Sequence, residues 1–243
     1  MIKIEKIITP SDEQMMFVIQ GMRNAFQSWD KSDSTTQRVT KVKCGDSTKD
    51  NVEFGFKLGE CDKKLMSALT GLGTDERKYL REMPIHMRIT APLYWWKEMD
   101  TYKVGVTSLS TSTMHNLCSK PFEWDDFSVE DLKFETYATI EAADGTMRDD
   151  AMTAFENYRN VLNAYRDQFL KAQRNGDRDK ASFYWRTIVQ LLPSSYNQTR
   201  NLSMNYEVLM NIYKARKNHK LKEWREFCSA IEQVPYFKEV YSK

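Results

Sequence analysis

Residues 147–175 place Phe155, Tyr158, Leu162, Tyr165 and Phe169 at steps of three and four, the spacing of one face of a long α-helix. An aromatic stripe of that length has to be buried, so the second half of the chain is read as a packed helical layer. Asn175-Gly176 ends the helix. Asp177 then restarts one toward Leu192, residues 193–198 form a connection, and helices over about 201–218 and 220–233 finish the chain. The first half reads differently. Ser11, followed by Asp12 and Glu13, is a good N-cap for a helix whose apolar face carries Met15, Met16, Val18, Ile19, Met22 and Ala25 and which ends near Phe26. Residues 29–50 are dense in Ser, Thr, Asp and Lys and read as a long polar loop. Val52, Phe54, Phe56 and Leu58 alternate as a half-buried strand does, and Ile85, Met87 and Ile89 repeat the pattern, with helical stretches at 62–72 and 74–83 between them.

Ala91-Pro92 breaks the second strand and launches a helix over 93–100, in which Tyr94, Trp95 and Trp96 are consecutive, so that the three rings cannot all face one core. Residues 101–117, rich in Ser and Thr, have no clean period and read as the site loop, and 121–145 are irregular. The sum is an α+β fold, helix-dominated, with an antiparallel sheet in the first half packed with C-terminal helices. It is read as one domain over 1–243, with a strand-containing part at 1–145 and a helical part at 146–243.

Composition narrows the function classes. The 243 residues carry 36 Lys and Arg against 34 Asp and Glu, a net charge of +2, so bulk charge names no partner. Hydrophobic residues make up 41% and aromatics 12%, which argues for a folded globule, while no apolar run approaches the roughly 20 residues that cross a bilayer. The N-terminus lacks the apolar stretch of a secretory signal. Cys44, Cys61, Cys118 and Cys228 contain no CxxC pair, and His86, His115 and His219 are dispersed. The expectation is a cytoplasmic protein with buried thiols and no metal site. Glycine-rich phosphate loops, GxSxG elbows and HExxH helices are absent from the sequence.

What remains is polar and basic. Asn205, Asn211 and Arg216, followed by His219 and Lys220, offer amide and guanidinium groups suited to a planar heterocycle or a phosphate. On a single helix Asn205 and Arg216 lie about 20° apart around the axis and about 16 Å apart along it. In the site loop Tyr102 with Lys103 read either as a hydrogen-bonding pair or as a packed tyrosine beside a solvated lysine, and His115 is a residue of the type that serves as acid or base. The basic run from Lys214 to Arg225 reads as a solvated face, with nucleic acid as the alternative occupant.

Two separated segments resemble one family. Ile89-Thr90-Ala91-Pro92-Leu93-Tyr94-Trp95-Trp96-Lys97-Glu98 resembles the strand-to-helix junction before the signature of the flavin-dependent thymidylate synthases. Leu192-Pro193, then Asn205-Tyr206-Glu207-Val208-Leu209-Met210-Asn211 and Arg216, resemble that family's C-terminal pattern, in which LP leads to N-A-R-x-L-x-N and a later arginine. The resemblance covers about residues 15–235. It implies a thymidylate-synthase-complementing-protein-like fold and a homotetramer with FAD between subunits and dUMP beside the flavin. It also implies methyl transfer to the pyrimidine from methylenetetrahydrofolate, with NADPH as reductant. Carried over by position, Asn205, Asn211 and His219 or Lys220 fall to the flavin, and Arg216 to the pyrimidine with a catalytic role beside Tyr102 and Lys103. Trp95 is the ring assigned to the cofactor. Arg186 stands in for an arginine expected at Val189, and Thr111, Ser112, Thr113 and His115 are placed on the nucleotide side. The family's RHRxxSxNxxSxRY signature falls on 101–114, where Lys103 keeps a charge and Thr111 a hydroxyl, and Glu207 replaces the arginine of N-A-R. Three readings therefore stand: an active flavin-dependent methyltransferase of nucleotide metabolism, a non-catalytic nucleotide- or flavin-binding descendant acting as sensor, sponge or regulator, and a nucleic-acid-binding or structural protein.

Overall fold

The structure, a computed structural model, describes residues 1–44, 47–134 and 139–241, and their side chains apart from those of 37–54 and 133–140. The strands are β1 (Lys3–Ile8), β2 (Thr35–Cys44), β3 (Ser47–Lys57), β4 (Pro84–Pro92), β5 (Thr107–Ser110), β6 (Thr139–Glu141), β7 (Met147–Asp149) and β8 (Asn197–Asn205). The helices are α1 (Asp12–Asn24), α2 (Glu60–Leu72), α3 (Leu93–Met99), α4 (Ala151–Arg174), α5 (Arg178–Leu191), α6 (Tyr206–Arg216), α7 (Lys222–Ile231) and α8 (Phe237–Val240). A four-stranded sheet runs in the order β1-β4-β8-β5, and β2/β3 and β6/β7 form two further antiparallel pairs. The chain is the helix-dominated α+β protein that its sequence implies.

The alternation expected of β4 is present. Ile85, Met87, Ile89 and Ala91 are buried while His86 and Arg88 are exposed. On the polar side His86 Nδ1 bonds Ser203 Oγ at 2.8 Å and Arg88 Nη1 donates to Asn201 Oδ1 at 3.1 Å. Numbers rise on β4 as they fall on β8, so the two strands are antiparallel. β8 itself corrects the sequence reading, which began a helix near Asn201. Buried Gln198, Leu202 and Met204 alternate with less buried neighbours, and the helix starts only after Asn205.

Two compact units make up the chain. One comprises Met1–Lys3, Ile89–Thr101 and Leu109–Arg200. Its centre is the expected stripe: Leu162 is fully buried, and Phe155, Tyr158, Tyr165 and Phe169 pack on a core of Leu117, Cys118, Phe122, Phe127, Val129 and Ile188. α4 starts later than its periodicity suggests. Met147–Asp149 are the strand β7, and Asp150 caps the helix by accepting from the Thr153 N–H at 2.7 Å. Gly176 takes φ +70, the left-handed conformation that ends α4. Trp95 and Trp96 are both 0% exposed, so two of the three consecutive rings do enter the core, with Tyr94 at its edge. Their planes meet edge to face at 4.8 Å, and Trp96 Nε1 donates to the Gln198 carbonyl at 2.8 Å.

The other unit comprises Ile4–Arg88, Tyr102–Ser108 and Asn201–Lys243. Ser11 caps α1 in a reciprocal box, its Oγ accepting from Gln14 N–H at 3.2 Å while Gln14 Oε1 accepts from Ser11 N–H at 2.9 Å. The stretch read as a polar loop at 29–50 is instead a turn at Trp29–Lys31 followed by a hairpin, with Thr35 opposite Lys57 and Cys44 opposite Ser47. Its β-branched Thr35, Thr36, Val39, Thr40 and Val42 suit a pleated strand, and their interleaved charges concealed that preference. The side chains of Cys44, Val52 and Phe54 lie outside the described residues. Cys61 is exposed, unlike the buried Cys118 and Cys228, because it opens α2 beside Asp33.

Asp33 supplies what the glycine before α2 lacks. Its carboxylate accepts from the N–H groups of Cys61 at 2.9 Å and Asp62 at 3.1 Å, pairing donors that a helix start leaves unmet. The approach is so close that a Cβ on Gly59 would fall 2.0 Å from Asp33 Oδ1 and 2.5 Å from the Asp33 backbone carbon. Gly59→Ala is expected to lower stability by about 1–3 kcal/mol through this overlap. Urea unfolding reads it, and an unchanged midpoint would refute the close approach. Among the described residues no helix is long and apolar enough to cross a membrane.

Candidate functional site

α6 begins where Asn205 leaves β8, and the Asn205 Oδ1 accepts from Val208 N–H at 3.0 Å as its N-cap. Asn205 therefore spends its amide oxygen on the helix. The segment at 102–108 passes close by. Gly105 has φ +76, and a Cβ there would meet Val208 Cγ2 at 3.1 Å and lie 3.5 Å from Asn205 Nδ2, so glycine is required both by conformation and by space. This approach brings the 102–108 segment against α6.

At the other end of α6, Arg216 Nε donates to the Tyr102 hydroxyl at 2.9 Å. Its guanidinium carbon lies 4.8 Å from the centre of the Trp224 ring and 5.6 Å from that of Tyr102. The cation is held by two aromatic faces rather than extended into solvent. His219 packs edge-on to Trp224 at 6.2 Å. Its Nδ1 accepts from Leu221 N–H at 3.2 Å, which places the ring proton of the neutral form on Nε2. Arg225 Nη1 donates to the carbonyls of His219 at 2.7 Å and Lys220 at 2.8 Å, fixing the turn between α6 and α7. Tyr102, Arg216 and His219 thus meet around Trp224 at the C-terminal end of α6, with Asn205 at the start of the helix about 16 Å along its axis and Lys103 and Lys220 exposed beside them in sequence. Trp224 was the participant that the sequence reading missed. Its signal was the apolar spacing of Trp224, Phe227, Cys228 and Ile231 on α7.

Asn211 is not part of this gathering. It is exposed, and five residues from Arg216 put it about 140° away around α6. The remaining expected residues belong to the other unit. Trp95 is fully buried, its ring occupied by packing on Trp96. Arg186 is exposed on α5. Ser112 Oγ accepts from the N–H groups of Met114 at 3.1 Å and His115 at 3.0 Å, a local turn. Thr113 is half-buried, exposed Thr111 bonds β8 through its N–H to the Thr199 carbonyl at 2.9 Å, and His115 lines a cavity of about 460 Å³ with Trp185 and Phe169.

The charge reversal at Glu207 has a structural answer. Arg77 Nε and Arg81 Nε, from the 3₁₀ turn at Glu76–Glu82, donate to its two carboxylate oxygens at 3.1 and 2.5 Å. Burial pushes the Glu207 carboxyl up, but the bonds and charges of Arg81 and Arg77 outweigh it and hold the group below its usual value. A carboxylate in the first turn of α6 also answers the positive end of the helix, so that end is not left open for a phosphate. The Cys228 thiol is pushed up to about 11, first by burial and then by Glu232, against the nearby charge of Arg216. It is no nucleophile at neutral pH. The basic run from Lys214 to Arg225 is dispersed. Arg216 turns onto rings, Lys217 onto Tyr241, and Lys222 reaches Glu226 at 3.5 Å. No group of three or more His, Cys, Asp or Glu among the described residues is placed to hold a metal ion.

No protein-family profile matches the sequence, and no curated protein sequence matches it. Solved structures do. A crystal structure of thymidylate synthase X from Helicobacter pylori with FAD and dUMP is similar over 99% of this chain and 96% of its own, with a TM-score of 0.57 at 15% identity. A second structure of the flavin-dependent thymidylate synthase from Helicobacter pylori, complexed with FAD and dUMP, covers 99% and 97% with a TM-score of 0.57 at 17% identity. At such identity the likeness is one of fold.

Proposed function

We propose that the chain is a flavin-dependent, thymidylate-synthase-like enzyme acting on dUMP or a related pyrimidine nucleotide. The observation that carries the reading is the joint position of Tyr102 and Arg216, singled out from the sequence and hydrogen-bonded at 2.9 Å on a fold similar along nearly its whole length to a protein crystallised with FAD and dUMP. The residues fit such ligands. A guanidinium held against two rings is a rigid donor for a pyrimidine carbonyl, Lys103 and Lys220 supply exposed cations for phosphate, and Asn205 Nδ2 and His219 Nε2 add polar N–H groups. When bound, FAD would supply hydride transfer, with NADPH as its source and methylenetetrahydrofolate as the one-carbon donor. The protein side chains bind and orient. Arg216 and Tyr102 position the pyrimidine, and Lys103 neutralises charge at the loop. Asn205, His219 and Lys220 serve the cofactor, and the working assembly is a homotetramer in a cytoplasmic setting.

A second reading, a descendant that binds nucleotide or flavin without turnover, is favoured by the 101–114 segment, in which Lys103 is the one charged residue. One titration addresses both. Adding the protein to FAD is expected to shift the visible flavin bands and quench flavin fluorescence, with a further change on adding dUMP. An unperturbed spectrum overturns the flavin reading. Binding without a C5-methylated nucleotide by mass spectrometry, in the presence of folate donor and NADPH, selects the descendant.

A further inference from the structure

A cavity of about 580 Å³ opens beside α1 and shares no lining residue with the Tyr102–Arg216 site. Phe17, Gly21 and Asn24, spaced four and three residues apart, put one stripe of α1 along it over about 10 Å. Each end of the stripe carries a large exposed ring. Phe17 is 65% exposed at one end and Trp29 51% exposed at the other. Trp29 Nε1 donates to Asn24 Oδ1 at 2.9 Å, so the indole is tethered in place. Midway, Gly21 leaves room for the Glu82 carboxylate, whose Oε2 lies 3.2 Å from where a Cβ would stand. Among the described residues Glu82 has no ion-pair partner. Beneath, Arg23 and Asp62 neutralise each other at 2.6 Å, and the Ser32 and Ser34 hydroxyls donate to Asp62. The floor is thus fixed and carries no net charge.

The cavity therefore offers flat apolar surface, the exposed amide of Gln20 and one carboxylate, which as the charged group can only accept. We propose that it binds a guanine-type base, its ring beside Trp29 and its adjacent ring N–H and exocyclic amino group donating together to Glu82. The base edge decides the class. A carboxylate needs two neighbouring donors for a bidentate, charge-assisted bond. Uracil sets its N–H between two carbonyls, and adenine and cytosine set their amino group beside an acceptor nitrogen. The guanine edge alone among the common bases gives two donors side by side, so this site is distinct in chemistry from one for dUMP or the adenine of FAD.

Calorimetric titration of the full chain with guanosine tests it. Saturable binding is expected, weakened about tenfold or more by Glu82→Gln, which sets an amide donor against the ligand's donors. Inosine, without the exocyclic amino group, is expected to bind as weakly to wild type. Glu82 is exposed, and a thermal unfolding midpoint equal to wild type verifies that the variant is folded. Absence of guanosine binding, or equal affinity in wild type and Glu82→Gln, overturns the proposal. So does guanosine binding lost in Arg216→Ala and kept in Glu82→Gln, which would move the base to the other site. Flavin binding in Glu82→Gln remains as in wild type, so the two readings fail separately.

Discussion

Asp62→Ala is expected to lower the unfolding free energy by about 3–5 kcal/mol, because it strands a buried cation and several buried donors at once. Arg23 is 4% exposed and Asp62 0%. Asp62 Oδ1 accepts from Arg23 Nε at 2.6 Å, and Oδ2 accepts from Ser32 Oγ at 2.9 Å, Ser34 Oγ at 2.7 Å, Ser34 N–H at 3.0 Å and Asp33 N–H at 3.1 Å. One carboxylate therefore ties α1, the segment before β2 and α2 together. Urea unfolding of the variant reads the loss, and a shift under 1 kcal/mol, about one standard hydrogen bond, would refute the arrangement.

The same group sets an acid limit. Burial alone pushes the Asp62 carboxyl up, but the donors from Ser34, Arg23 and Ser32 outweigh it and hold the group below the usual aspartate value. A carboxyl depressed in the folded state stabilises fully above its unfolded value of about 3.9, and that contribution is lost as pH falls through the folded value. The gap between wild type and Asp62→Asn in urea unfolding should thus be widest near neutrality, begin to narrow near about pH 4 and close only below the depressed folded value.

The pair also marks where the sequence stops being informative. Arg23 and Asp62 are 39 residues apart, and nothing local to either announces the other. The Arg77 and Arg81 clamp on Glu207 spans 130 and 126 residues, which is why Glu207 read only as a reversed charge. Periodic features fared better. The α4 stripe, the Ser11 cap and the β4 alternation each follow from spacing within one element. The β2/β3 hairpin was missed because its strand preference rests on threonine and valine among charges rather than on an apolar face. Of the site, Tyr102 and Arg216 were each legible as residues with chemistry. Their bond, across 114 positions, was not, nor was Trp224 as the ring under the guanidinium.

Under the proposed function, that bond carries the largest expected effect. Arg216→Ala is expected to weaken dUMP binding about 100-fold or more, since it removes a charged donor whose orientation is already fixed by the protein. Arg216→Lys keeps the charge but loses the planar fork that lies over Trp224 and bonds Tyr102, so an intermediate loss of about tenfold is expected. Tyr102→Phe separates orientation from charge. The ring face 5.6 Å from the guanidinium carbon remains while the 2.9 Å hydrogen bond is lost, and a loss of a few-fold is expected. Calorimetry with dUMP ranks the three. Folding is a smaller term, because the ring contacts of one part-exposed arginine are worth about 0.5–2 kcal/mol, visible as a modest drop in melting temperature. Equal affinity in wild type and Arg216→Ala would take the pyrimidine away from α6. The order wild type, Tyr102→Phe, Arg216→Lys, Arg216→Ala is what a guanidinium aimed by a tyrosine and two aromatic faces requires.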